Sequence, residues 1–306
     1  MPEKDDSFIK GILDELSRSG RMPESLDELN ASLGVIIGKH NERASNDFQG
    51  LSPLQVRTLM HNPFSTDCVV KFKPSIGPEV SSSTVMRVCQ VILSSIPDDK
   101  GLKLTVKGNL TRKVVENIRS LKTYRDRYTS IIGDRVLNEM DYMPAAFSRA
   151  LLMVSGIVIV RKNSLFLTKK GKTLNCDPAK MYIHLLEHFT TKFNKGFLDF
   201  YESKNIGNIA PAFVLYLLSL YGDQRRESSF YAGLYFKAFP MLLDEAWATF
   251  SHPEIMAYSC FTHRIFNKGF TLFGLVEISE EGKDYTERKE IISKTGLFDQ
   301  VFEVKY

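Results

Sequence analysis

The 306-residue chain has few cysteines, no long apolar run and no large excess of charge of one sign, and each shortage removes a class of function. The four cysteines, Cys68, Cys89, Cys176 and Cys260, are widely scattered. They show neither the paired spacing of a zinc site nor the density of a disulfide scaffold, and are expected to be small core residues in a reducing compartment. No apolar run approaches the ~18 residues that a membrane span requires. The start, MPEKDDSFIK, has neither the charged head nor the apolar stretch of a secretion signal, so a cytoplasmic chain with no membrane partner is expected. The formal net charge is only +4, so any case for a polyanionic partner rests on local clustering. A phosphate-binding glycine loop, a Gly-x-Ser-x-Gly elbow and a Cys–His signature are all missing, and no cofactor is implied.

At 43% hydrophobic and 25% charged residues, the chain has the composition of ordinary globular protein. Residues 7–19 and 25–38 are predicted to be helices, the second with Leu26, Leu29, Leu33 and Ile36 or Ile37 at three-to-four spacing. In LSPLQVRTLMHNPF, Ser52, Pro53 and Gln55 form a capping-box start, and Asn62-Pro63 ends that helix.

An internal repeat carries more information. LKLTVKG at 102–108 and LFLTKKG at 165–171 agree at five of seven positions. Each follows an apolar helical stripe: Val85, Val88, Cys89 and Ile92 before the first, and Phe147, Ala150, Leu151 and Val154 before the second. A degraded third copy closes the chain, from TLFG through LVEIS and EIISKTG to LFDQVF. Gly156 and Gly274 suit helix ends that need positive φ, and Val158, Val160, Leu165 and Leu167 alternate as a two-stranded ribbon would. Asn163-Ser164 is expected to turn the ribbon, Thr168 to cap the next helix, and Gly171 to allow close packing.

The string Gly156-Ile-Val-Ile-Val-Arg-Lys, followed by Leu-Phe-Leu-Thr-Lys-Lys-Gly-Lys172, resembles the wing and exit of MarR-type winged-helix regulators. The order GLSPLQ to NPF, LKLTVKGNLTRKVV, LFLTKKGK and a terminal FGLVEIS to SKTGLFDQ resembles a bacterial protein family without an established activity. The resemblances imply a mainly α, α+β chain built from tandem winged-helix-like units (helix, two-stranded wing, helix). The expected division is an N-terminal helical module over 1–75, winged-helix-like units over 76–135 and 136–205, and a C-terminal helical region over 206–306 ending in a third unit. The aromatic segment 213–239 is expected to be buried in that region, together with Trp247.

Basic clustering is the main functional lead. Residues 103–127 hold eight Lys or Arg against Glu116 and Asp126, a local charge of +6. Lys103, Lys107, Arg112, Lys113 and Arg119 from this stretch, with Arg161, Lys162, Lys169, Lys170 and Lys172 around the second wing, are the candidate nucleic-acid contacts. Lys107, Lys169 and Lys170 are expected in first helical turns, where the helix dipole disfavours a cation. Arg112 and Glu116, spaced i,i+4, are equally suited to a surface ion pair.

One enzyme-like spelling is present. His184-Leu-Leu-Glu187-His188 matches the inverted zinc-peptidase pattern, for which Glu227, Glu245 or Glu254 would have to supply a third ligand. Met181, Leu185, Phe189 and Phe193 mark the buried face of the same helix, which makes core-edge histidines the simpler reading. Asp98-Asp99 and Glu287-Arg288-Lys289 resemble fragments of a nuclease metal site and do not assemble into one. The expectation is therefore a non-enzymatic protein binding nucleic acid through winged-helix-like units. A scaffold for other proteins is the alternative, and a zinc hydrolase through His184, Glu187 and His188 a remote one.

Overall fold

A computed structural model describes residues 14, 16, 17, 25–98, 100–124, 138–246, 252–282 and 288–305. The predicted helix over 7–19 and Trp247 lie largely or wholly outside them. The chain divides into two compact units, Met1–Thr58 and Leu59–Tyr306.

In the smaller unit, α1 (Leu26–Glu42) starts where Ser25 accepts a side-chain hydrogen bond from the Glu28 amide, with Asp27 and Glu28 in its first turn and Lys39 and His40 in its last. Each charge matches the helix dipole. Helix α2 (Pro53–His61) opens on the expected reciprocal box: the Ser52 amide donates to Gln55 at 2.9 Å and the Gln55 amide to Ser52 Oγ at 3.3 Å.

The larger unit is mixed α+β, mostly helical, with small antiparallel sheets. It takes in the stretch after Thr58, where strand β1 (Val70–Phe72) pairs with β8 (Phe302–Val304) near the end of the chain.

Its first sheet is built from both copies of the repeat. Helix α3 (Thr84–Ser94) buries Val85, Val88, Cys89 and Ile92, and strand β2 (Leu102–Lys103) follows. Next come α4 (Arg112–Arg119) and α5 (Met143–Val154), then the hairpin β3 (Val158–Arg161) and β4 (Ser164–Leu167). The strand order is β2-β4-β3, all antiparallel, with Leu102 opposite Leu165 and Lys103 opposite Ser164. The two similar strings are thus sheet partners and not two separate wings. SIPDDKG is a helix-to-strand connection, and segments 76–135 and 136–205 contribute to one sheet. The physical reason is that a lone hairpin leaves one edge of Leu165 uncovered; β2 closes that edge, and Leu165 becomes fully buried.

The hairpin and its exit follow the expected chemistry with one shift. Gly156 adopts φ 71°, and the turn falls on Lys162 and Asn163, both at positive φ (46° and 57°), one residue earlier than expected. Thr168 accepts from the Gly171 amide at 3.0 Å and opens α6 (Lys169–Asn175). A Cβ on Gly171 would stand 2.3 Å from the Ile157 carbonyl, so only glycine lets α6 approach the hairpin this closely.

After α7 (Pro178–Thr191), the same order recurs. Helix α8 (Pro211–Tyr221) leads to β5 (Arg226–Glu227), α9 (Ser228–Ala238), α10 (Pro253–Thr262) and a π-helical continuation over His263–Phe270. The hairpin β6 (Val276–Glu281) and β7 (Lys289–Lys294) then closes a second sheet of order β5-β7-β6. Helix α11 (Gly296–Val301) is capped by Thr295, which accepts from the Phe298 amide. The joints match residue for residue. Gly274 has φ 72°, and the Thr168 and Thr295 hydroxyls donate to the Gly156 and Gly274 carbonyls at 2.8 and 2.6 Å. The expected third copy therefore repeats the joints of the second in a separate sheet, where its strand β7 pairs with β5. The aromatics Phe213, Tyr216, Tyr231, Tyr235, Phe236 and Phe239 are buried as expected.

Candidate nucleic-acid interface

Strand register brings part of the predicted basic set together. Lys103 and Arg161 both face Ser164, so the three side chains leave the same face of the first sheet, with the two cations roughly 10 Å apart across two strand spacings. Lys162 occupies the hairpin tip. The tip is fastened to the loop after β2: the Leu104 amide donates to the Asn163 carbonyl at 3.0 Å, and Asn163 Nδ2 donates to the Leu104 and Thr105 carbonyls at 3.2 and 3.1 Å. That loop carries the exposed Val106 and Lys107. Lys107 thus lies in a turn and not in the first helical turn expected for it, because the Gly108 amide closes the turn on Thr105 at 2.8 Å. Lys103, Lys107, Arg161 and Lys162 consequently share one end of the sheet.

Arg112 and Lys113 take the first turn of α4, which has no acidic residue and no side-chain cap from Thr111. Lys169 and Lys170 open α6, whose first turn is capped by Thr168 and likewise holds no acidic residue, with Lys172 after them. A cation in a first turn costs a few tenths of a kcal/mol, a cost that a bound anion removes. Because α6 follows the base of the hairpin, its lysines stand at the opposite end of β4 from the Lys162 tip. Arg119 is half-buried at the C-terminal end of α4, where the dipole favours it.

Ion pairing separates the two sheets. Among the described residues, Lys103, Lys107, Arg112, Lys113, Arg161, Lys162, Lys169, Lys170 and Lys172 enter no ion pair, and the i,i+4 pair available to Arg112 and Glu116 is not made. In the second sheet Arg225 pairs with Glu281, Arg288 with Glu280, Lys289 with Glu227, and Lys294 with Asp223 and Asp299. Among the described residues, the first hairpin presents unneutralised cations, while Arg288, Lys289 and Lys294 of the second are ion-paired.

The helix before each hairpin is withdrawn from solvent. Helix α5 buries Pro144, Ala145, Ala146, Phe147, Ser148, Leu151 and Leu152. Its one cation, Arg149, is ion-paired to the fully buried Glu139, which also accepts from the Leu110 amide. The π-helical segment buries Arg264, Ile265, Phe266, Lys268, Gly269 and Phe270.

Residues 81–180 match the Y4jL N-terminal domain family. The matched segment is less than half of the chain and runs from just before α3 into the first turn of α7, so it contains the whole first sheet with its capped helix. No curated protein and no solved structure matches the chain. The similarity to the Y4jL N-terminal domain carries no activity with it. It does show that the two repeat copies lie within one family segment, as the strand pairing between them requires.

The His184 and His188 rings lie 4.2 Å apart between centroids, tilted at 47°, and each donates a ring N–H to a carbonyl, His184 to Ser155 at 2.9 Å and His188 to His184 at 2.8 Å. Burial raises the Glu187 pKa, with the His184 charge opposing. Among the described residues no group of three or more His, Cys, Asp or Glu is placed to hold a metal ion. Cys176 is exposed, contrary to the core position expected for it, because α6 turns it outward; Cys68, Cys89 and Cys260 are buried. Among the described residues, no helix is long and apolar enough to cross a membrane.

A buried charge network that the sequence did not announce lies beneath the loop after α7. Arg264 donates to both oxygens of Asp199 at 2.8 and 3.0 Å and to the carbonyls of Ser203, Ile206 and Tyr201. Lys268 reaches the Phe197 carbonyl and Asp199. Lys195 is also buried, over the Phe189 ring at 4.9 Å, and has no acidic partner among the described residues. Burial first, and the Arg264 charge second, push its pKa down to about 7 from an ordinary 10.5. Between those two pH values the native state binds fewer protons than the unfolded state, so this lysine makes stability rise with pH from 7 to 10.5; below 7 its full cost is present. Lys195→Met is expected to stabilise the protein by ~2 kcal/mol at neutral pH and to remove that rise. Denaturant melts of both proteins at pH 7 and 9.5 measure it, and an unchanged or lowered midpoint at pH 7 would contradict the burial argument.

Proposed function

We propose that the chain is a tandem winged-helix protein that binds nucleic acid through phosphate contacts made by its first unit. The reading is supported by the order, among the described residues, of helix, strand, helix, helix and hairpin with the first strand beside the last, which resembles the winged-helix order and recurs over 84–167 and 211–294. The observation that carries the functional reading is the set of nine cations around the first sheet that have no ion-pair partner among the described residues, against the neutralised second hairpin.

The mode of contact follows from what is buried. In a winged helix that reads base sequence, the third helix enters the major groove. Here that position is α5, whose only cation is ion-paired and whose surface is largely covered. The wing, the loop at Lys107 and the starts of α4 and α6 are left to make contact, and they offer lysine and arginine to phosphate. Binding of this kind depends little on sequence and is weakened steeply by salt. Fluorescence anisotropy with two duplexes of unrelated sequence tests it. Both are expected to bind with similar affinity at 50 mM salt and to lose on the order of 10³-fold or more by 200 mM, as roughly six to ten phosphate contacts require. Failure to bind either duplex at low salt would end the proposal.

A second reading, a scaffold for other proteins, is favoured by one feature. Strand β3 is a sheet edge, and Ile159 and Val160 on it are 41% and 37% exposed. An added strand from a partner would pair there. Its binding would tolerate salt, which separates it from the phosphate reading.

A further inference from the structure

The loop between α7 and α8 displays a phenylalanine to solvent and is built to hold it there. Phe200 is fully exposed, at 103% of its reference area, while the residues around it are fixed from below. On one side Asp199 takes the bidentate hydrogen bonds of Arg264, and on the other the carbonyls of Tyr201 and Ser203 accept from the same guanidinium. Lys268 holds the Phe197 carbonyl, and Leu198 is kept at φ 58°, a conformation costly for a leucine. A fully exposed aromatic ring on a loop clamped by a buried Arg–Asp–Lys network is unlike the singly scattered apolar residues of an ordinary surface.

The next residue, Tyr201, lines a cleft of ≈ 550 Å³ together with Lys192, Asn194, Glu202, Lys204 and Asn208 among others. Lys192 and Lys204 are exposed and enter no ion pair among the described residues. His188, one turn before the end of α7, has its pKa lowered by burial first, and among the further causes are the charges of His184, Lys192 and Lys170. Lys170 on α6 and Lys192 at the cleft therefore both lie within electrostatic reach of one histidine.

We infer that this loop and cleft bind an unpaired stretch of nucleic acid, with Phe200 stacked on a base and Lys192 and Lys204 on the flanking phosphates. A ring face accepts any base, and lysines beside it accept the backbone, which is the combination that single-strand binders use. An acidic peptide would satisfy the lysines and leave the ring without a planar partner. The inference rests on the nucleic-acid reading above and adds to it a preference for substrates with an unpaired segment, such as a duplex with a single-stranded tail.

The test compares an oligothymidylate with a blunt duplex, using the full chain. Phe200→Ala is expected to weaken oligothymidylate binding by about tenfold and to leave duplex binding and both salt slopes unchanged. Phe200→Trp is expected to keep the affinity and to show tryptophan quenching when the oligothymidylate is added. Since the side chain is fully exposed, neither variant is expected to unfold. If Phe200→Ala binds both probes as the parent does, or loses both equally, the inference is wrong while the wing proposal stands. If the parent protein binds neither probe, both fall.

Discussion

Asp199→Ala is expected to lower stability by about 3–5 kcal/mol, the largest effect anticipated for a single substitution in this chain. Asp199 is the one acidic group against which Arg264 and Lys268 are buried, with Arg264 only 1% exposed and Lys268 4%. Removing it leaves two cations without a counter-charge in the core, and the carbonyls that also receive Arg264 do not replace a carboxylate. Burial alone would raise the Asp199 pKa, but the Arg264 hydrogen bonds and the Lys268 and Arg264 charges hold it below the ordinary 3.8. Its contribution is therefore present above that value and is lost as pH falls through the lowered one. Thermal melts at pH 7 are expected to show a fall of roughly 10 °C for Asp199→Ala and a smaller fall for Asp199→Asn, which keeps one acceptor. Equal melting of the variants and parent would mean that the network does not hold the loop.

Removing the charges of the first wing is expected to have the largest effect on binding. With Lys103, Lys107, Arg161 and Lys162 all changed to alanine, the slope of log affinity against log salt should fall by about 4, and affinity at 50 mM salt by roughly 100-fold. All four side chains are exposed, so the cost in stability is expected to be under about 0.5 kcal/mol each. Arg225, which precedes β5, and Arg288 on the second hairpin supply the control. Each is already ion-paired, so changing both to alanine should leave the slope where it was. A parent-like slope for the first variant, or an equal loss in the second, would remove the distinction between the two hairpins.

The parts of this molecule that could be read from sequence are those whose chemistry is local. The hairpin at 158–167, its glycine entry and the Thr168 cap with Gly171 are all set by residues within a few positions of one another, and they stand where expected except for a turn one residue early. What escaped was pairing at a distance. Strands β2 and β5 are two residues long, too short to show a period, and each is a strand only because a hairpin far along the chain accepts it. The strings LKLTVKG and LFLTKKG hold strands that pair antiparallel in one sheet, with Leu102 opposite Leu165.

The site divides along the same line. The cations were visible as residue types, whereas the absence of an Arg112–Glu116 pair, and the loss of Arg149 to Glu139, are facts of side-chain geometry. The Arg264–Asp199–Lys268 network left one trace: two cations four residues apart in the aromatic run Phe261-Thr-His-Arg-Ile-Phe-Asn-Lys-Gly-Phe270. On an α-helix that spacing suits an exposed polar face. Here the π-helical turn carries both cations inward to one carboxylate.

The most direct test of the central claim is lysine footprinting by acetylation and mass spectrometry, with and without saturating duplex that carries a single-stranded tail. Lys103, Lys107, Lys162, Lys169, Lys170 and Lys172 should lose reactivity on binding, while Lys289, ion-paired on the second hairpin, should not change. Undiminished reactivity of the first group in the complex, or protection of Lys289 in its place, would contradict the account.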